Sequence, residues 1–143
     1  MNYNELDIYD EYFNDYYDYI KNNVAYEITI SKKTPQDIVK FPTIIFKEVQ
    51  NVNAIGGTAT NRQEVVDLLT FQVDIYTKDF IDSNGKHPSL VIQKELKLLT
   101  FDYFFKRGFD RSSSDNWENN NVVYDRLTTL FQGWLQSWNK KII

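Results

Sequence analysis

His87 is the single imidazole in a chain of 143 residues that contains no cysteine. It is the first candidate for a general base, because histidine is the side chain whose unperturbed pKa lies nearest neutrality. A general base also needs a proton donor of the substrate or a nucleophile within hydrogen-bond reach. Nothing near His87 in the chain is a convincing nucleophile. There is no nucleophile elbow with a Ser/His/Asp set, no Cys/His pair and no HExxH helix. A lone histidine without cysteine does not make a metal site. The acids available for a catalytic pair, Asp74, Asp110, Asp115 and Asp125, are scattered. The glycines of Ile55-Gly56-Gly57-Thr58-Ala59-Thr60 suggest a phosphate cradle, but such a loop requires Lys-Ser/Thr entering a helix, and here Arg62 leads toward a strand. Residue types and spacing therefore predict no catalysis, no metal and no cofactor.

The elements that carry these residues follow from periodicity. The chain centres on an antiparallel hairpin over 41–78. Its first flank, Phe41 to Val49, is rich in β-branched and aromatic residues, which fit a pleated surface. Pro42 confines Phe41 to an extended conformation and suits a strand start. The second flank alternates. Leu69, Phe71, Val73 and Ile75 fall on one face, and Thr70, Gln72, Asp74 and Tyr76 on the other, so one face is expected dry and the other wet. The polar tip from Asn51 to Asn61 is expected to be a long mobile loop, of the kind often used for function.

Residues 4–23 form a predicted helix with Tyr9, Tyr12, Phe13, Tyr16 and Ile20 on one stripe. Buried tyrosines need partners for their hydroxyls. The stripe reads first as core packing, with a partner-facing surface as the alternative. A short strand signature covers Ala25 to Ser31, with Tyr26, Ile28 and Ile30 on one face. Phe80 to His87 is a turn-rich connection. A second helix over 88–106 starts at Pro88, where proline is tolerated in the first turn, and stops near Gly108. Its expected core stripe is Ile92, Leu96, Leu99 and Tyr103, widened by Val91, Leu98 and Phe105. Phe109 to Asn121 is polar and turn-forming, with a short strand possible near Phe109 to Arg111. Val122 to Trp138 fits helical spacing through Leu127, Leu130, Phe131, Trp134 and Trp138. Its β-branched residues and Gly133 favour a strand over 122–136, with Val123, Leu127, Phe131 and Leu135 sharing a face with Asp125, Thr129 and Gly133. The tail, 139–143, is expected to fray.

These elements add up to one α+β domain: a mainly antiparallel sheet with a long β-hairpin, flanked by an N-terminal helix and one central helix. The length suffices for a core without disulfides. Aromatic residues, 16% of the chain, supply either that core or broad contact surfaces. The 16 basic residues against 20 acidic ones leave a net charge of −4, which disfavours non-specific nucleic-acid binding. The Tyr-rich helix carries acids where a single-strand binder would carry Lys or Arg. The acidic N-terminal residues do not read as a signal peptide, and no apolar run reaches the roughly 18 residues of a membrane span. A soluble protein without membrane partners is expected.

Phe41-Pro42-Thr43-Ile44-Ile45-Phe46, followed by Phe71-Gln72-Val73-Asp74-Ile75-Tyr76-Thr77 running into a helix, resembles the small tail terminator and tail-completion (head–tail joining, neck) proteins of long-tailed bacteriophages. Asp125-Arg126-Leu127-Thr128-Thr129-Leu130-Phe131-Gln132-Gly133-Trp134 resembles their last core strand. The resemblance covers roughly residues 4–137 and is diffuse, with no catalytic signature. It implies a homo-oligomeric ring, usually a hexamer, that caps the tail tube and meets the head connector without a cofactor. Its partners would be copies of itself, the tail tube protein and neck proteins, and DNA would slide through the lumen without sequence-specific contact. The expected place is the tail–neck region of the virion. The expected subunit contacts are the hairpin tip (Asn53, Ile55, Gly56, Gly57, Thr58), the second sheet face (Gln72, Asp74, Tyr76) and the first helix (Tyr12, Tyr16).

Overall fold

A computed structural model describes residues 5–33, 38, 40–55, 65–117 and 124–136, with side chains over 8–33, 38, 40–49, 68–112, 114 and 124–133. The chain runs α1 (Glu5–Asn23), β1 (Thr29–Ser31), β2 (Thr43–Ile55), β3 (Val65–Thr77), β4 (Phe80–Asp82), β5 (Gly85–His87), α2 (Ser89–Lys106), β6 (Asp110–Trp117) and β7 (Asp125–Gln136). Five strands make one sheet in the order β1-β2-β3-β7-β6, and β4-β5 is a separate two-stranded ribbon. β1 pairs with β2 in parallel, and the other neighbours are antiparallel. This is the expected α+β domain.

Both helices cover one sheet face. The alternating side of β3 supplies that face with Leu69, Phe71, Val73 and Ile75, all buried, as periodicity predicts. The ring of Phe46 on β2 meets Tyr9 and Tyr16 of α1, at centroid distances of 5.8 and 5.1 Å. Phe104 of α2 stacks on Phe131 of β7 at 4.3 Å and 13°. Such ring pairs add to the burial of large apolar area.

β7 is a strand, because Leu127, Thr129 and Phe131 bury on the helix side at period 2. Gly133 has a packing reason: a Cβ there would sit 2.9 Å from a ring carbon of Phe109. α2 begins at Ser89, directly after an extended Pro88, and the Asp79 carboxylate accepts the Ser89 N–H at 2.7 Å, doing the work of an N-cap. It ends in a Schellman motif. The Phe109 N–H bonds the Phe104 carbonyl, the Gly108 N–H bonds the Phe105 carbonyl, and Gly108 adopts φ +84°. The peptide bond before Pro42 is cis.

Five expectations need correction. The hairpin strands run further than expected: β2 continues through Asn51 and Asn53 to Ile55, paired to Val65, because Asn51↔Leu69 and Asn53↔Asp67 extend the ladder. Backbone pairing here overrides the low strand preference of asparagine. The 80–87 segment is the β4-β5 ribbon with Gly85 at φ +114°. The polar 109–121 stretch contributes an eight-residue edge strand, β6, held by its ladder to β7. The strand after α1 covers only Thr29 to Ser31. In α2, Val91, Leu98 and Phe105 do not widen the core; all three are exposed. The tail at 139–143 lies outside the described residues.

Gln93, on the buried side of α2, has no hydrogen-bond partner for Nε2 among the described residues. An unsatisfied buried amide costs more than an apolar group of similar shape. Gln93→Met is therefore expected to raise unfolding stability by about 1 kcal/mol, read as a higher denaturant midpoint at unchanged slope.

Candidate functional site

His87 lies on β5 and faces Asp82 of β4 across the ribbon, with Nε2 2.8 Å from Oδ1. Its ring stacks on Phe80 at 4.5 Å, and Tyr26 approaches both. The hydrogen bond from His87, aided by the Asn84 backbone N–H, holds the Asp82 carboxyl below its usual range. A shallow cavity of about 480 Å³ opens beside this ribbon, lined by Phe80, Ile81, Lys86 and Pro88 among others. The Ser89 hydroxyl is committed elsewhere: it sits 2.5 Å from Asp125 Oδ2 and 2.9 Å from Thr77 Oγ1. His87 thus fastens the β4-β5 hairpin. Among the described residues, no group of three His, Asp or Glu side chains gathers to hold a metal.

The second sheet face differs from its expected character. Asp74 and Tyr76 are buried, and so is Ile45, which pairs with Asp74 in the ladder. Asp74 accepts two bonds from Gln72 Nε2 at 3.0 and 3.1 Å and is paired to Arg126 at 3.3 Å. The Arg126 guanidinium lies over the Tyr76 ring, and Tyr124 packs between Tyr76 and Phe41. Residues spaced for solvent are consumed by partners on β7, about fifty positions away. Asp74 and Tyr76 are therefore not open to a neighbouring subunit; Gln72 is half-buried.

Tyr12 and Tyr16 are likewise corrected: both are buried core residues. Tyr16 shares a hydrogen bond with Thr100 of α2 at 2.8 Å, and Tyr12 packs edge-on against Phe109. Burial pushes both phenols far above their ordinary range, so both remain protonated. Tyr9 donates to the Phe46 carbonyl at 2.6 Å, and burial, with the Glu48 and Asp10 charges, pushes its pKa up to about 12. Tyr9 and Tyr16 satisfy their hydroxyls inside the domain.

Of the tip residues, Asn53 and Ile55 lie on β2, with their side chains outside the described set; Gly56, Gly57 and Thr58 fall outside it altogether. The expected mobility of the tip falls there too.

The exposed apolar residues on α2 form the surface that sequence reasoning missed. Leu90, Val91, Leu98 and Phe105 are 64, 60, 54 and 50% exposed. Val91, Leu98 and Phe105 recur every seven residues, two helical turns, and so share one stripe. The opposite side of the same helix buries Ile92, Leu96, Thr100 and Tyr103. α2 is apolar on both sides, and only one side meets its own sheet. The seven-residue spacing was visible in the sequence; what it lacked was the direction of the core.

No protein-family model matches this chain, and no curated protein matches its sequence. No helix among the described residues is long and apolar enough to cross a membrane.

Proposed function

We propose that this chain is a non-catalytic virion structural protein: a tail terminator or tail-completion subunit. Copies assemble into a ring that caps the tail tube and joins it to the head connector. The supporting observation is the order of elements. A helix, a short strand and a long hairpin are followed by the β4-β5 ribbon, a second helix, the edge strand β6 and the closing strand β7, with both helices on one sheet face. That order agrees with the one carried by the resemblance of residues 41–46, 71–77 and 125–134. An outward apolar stripe on α2 adds a surface suited to assembly, since large exposed apolar patches on small proteins mark interaction sites. On this reading the protein acts by shape at the neck of the virion, needs no cofactor, and lets DNA pass through the ring.

Electron microscopy of virions made without the protein tests this. Tails of abnormal length that fail to join heads are expected. Normal, attached tails would refute it. Tails of normal length that fail to join heads would move the protein to another neck or head-completion role.

A further inference from the structure

β1 pairs with β2 only from Thr43 to Ile45, yet β2 runs on to Ile55. Among the described residues, no strand lies on this side of β2 beyond Ile45. A long strand edge presents a row of backbone donors and acceptors, a template for pairing with another chain. In the parallel register the Thr29 N–H reaches the Pro42 carbonyl at 3.2 Å. The bonds of a parallel ladder are evenly spaced and recur at every second residue. With Ser31 opposite Ile45, the next turn would fall to Lys33. Its N–H would bond the Phe46 carbonyl, and its carbonyl would accept the Glu48 N–H.

A side chain takes both places. The Tyr9 hydroxyl of α1 donates to the Phe46 carbonyl at 2.6 Å and accepts the Glu48 N–H. One phenol oxygen thus serves the two groups of β2 that the Lys33 backbone would have served. The Lys33 backbone is satisfied in the same manner: Ser31 Oγ accepts its N–H at 3.2 Å and donates to its carbonyl at 3.1 Å. Lys32, between them, is held on α1. Its ammonium pairs with Asp10 and lies 5.0 and 5.1 Å from the ring centroids of Tyr9 and Phe13. Directly after Glu48 the register of β2 shifts at an exposed Val49, and a bulge of this kind also interrupts pairing. The phenol keeps its proton, and so its role as donor, because burial first and the Glu48 and Asp10 charges next push its pKa up to about 12.

We infer that Tyr9 closes the outer edge of β2 against an added strand of a second copy, and that Ser31 withholds the segment of the chain itself that could take the place of Tyr9. Two observations carry this. The phenol engages both outward-facing groups of β2, where core packing alone would need only its ring. The Lys33 groups left over are answered by a second hydroxyl, so ending the ladder here leaves no main-chain group stranded. The inference goes beyond the function proposed above and is independent of the phage tail.

Tyr9→Phe tests it, because this variant keeps the ring that packs on Phe46 and Phe71 and removes only the hydroxyl. Circular dichroism is expected to be unchanged. Exchange of the Glu48 amide, followed by NMR at low concentration with the Val73 amide of the core as reference, is expected to quicken at least tenfold. Sedimentation velocity over a concentration series is expected to show association at least tenfold tighter than wild type, as copies pair along the opened edge. Adding Ser31→Ala frees Lys33 to extend β1. In Tyr9→Phe/Ser31→Ala the Glu48 amide is therefore expected to slow again, and association to fall back to the wild-type level. A Glu48 amide as slow in Tyr9→Phe as in wild type would show that the phenol does not close the edge. A quickened amide without added association would show that no strand is being kept out. A double variant that behaves like Tyr9→Phe alone would show that Ser31 withholds nothing. Each of these results overturns the inference.

Discussion

Phe131→Ala is expected to lower the unfolding free energy by about 3–5 kcal/mol. The Phe131 side chain is fully buried on β7 and stacks on Phe104 at 4.3 Å, with Phe101 edge-on at 5.7 Å. Its loss removes buried apolar area and leaves a cavity between α2 and the sheet that neighbouring rings fill only in part. A domain of this size has about 5–15 kcal/mol of stability in all. The variant should therefore show a much reduced denaturant midpoint. A change under about 1 kcal/mol, the range of volume-conserving swaps, would mean that α2 does not pack on β7 as described. Phe104→Ala should be similarly costly, and the double variant less costly than the two losses added together, since residues in contact couple.

Arg126→Leu is the second large effect. The Asp74 side chain has no exposure, while Arg126 is about one-third exposed at 34%. Removing one partner of a buried pair strands the other charge, at about 3–5 kcal/mol. The exposure of Arg126 and the two bonds from Gln72 place the expected cost near the lower end, about 3 kcal/mol. The double variant Asp74→Leu/Arg126→Leu should recover part of that loss, because apolar residues in place of a buried pair are often neutral. Urea unfolding of both single variants and the double variant measures this. A double variant no better than Arg126→Leu alone would show that Asp74 is not held by this pair.

The same two sites show why some of the fold was legible and some was not. Phe131 falls in step with Leu127 at period 2, and β3 shows Leu69, Phe71, Val73 and Ile75 in the same way. Periodicity within one strand is local information. The burial of Asp74 is not local. It depends on Arg126 of β7 and on packing near Tyr124, fifty residues on, so Gln72-Val73-Asp74-Ile75-Tyr76 reads as a strand with a solvent face. β6 has the polar sequence Asp-Arg-Ser-Ser-Ser-Asp-Asn-Trp, whose residue types favour turns; it is a strand because β7 offers it a ladder. Strand preference of this kind is set by context more than by residue type. In α2, apolar residues occur on both sides, so spacing alone did not say which side faces inward. Spacing places Val91, Leu98 and Phe105 with the core, and they are the exposed side. At the expected site, Tyr12 and Tyr16 were open to both a core and a contact reading, and their partners Phe109 and Thr100 decide for the core.

The measurement that bears most directly on the central claim is electron microscopy of the purified chain added to growing tail tubes. The expected result is a ring of identical subunits seated on one end of each tube, with elongation stopped at that end. Tubes that keep growing with the chain unbound and monomeric in solution would contradict it.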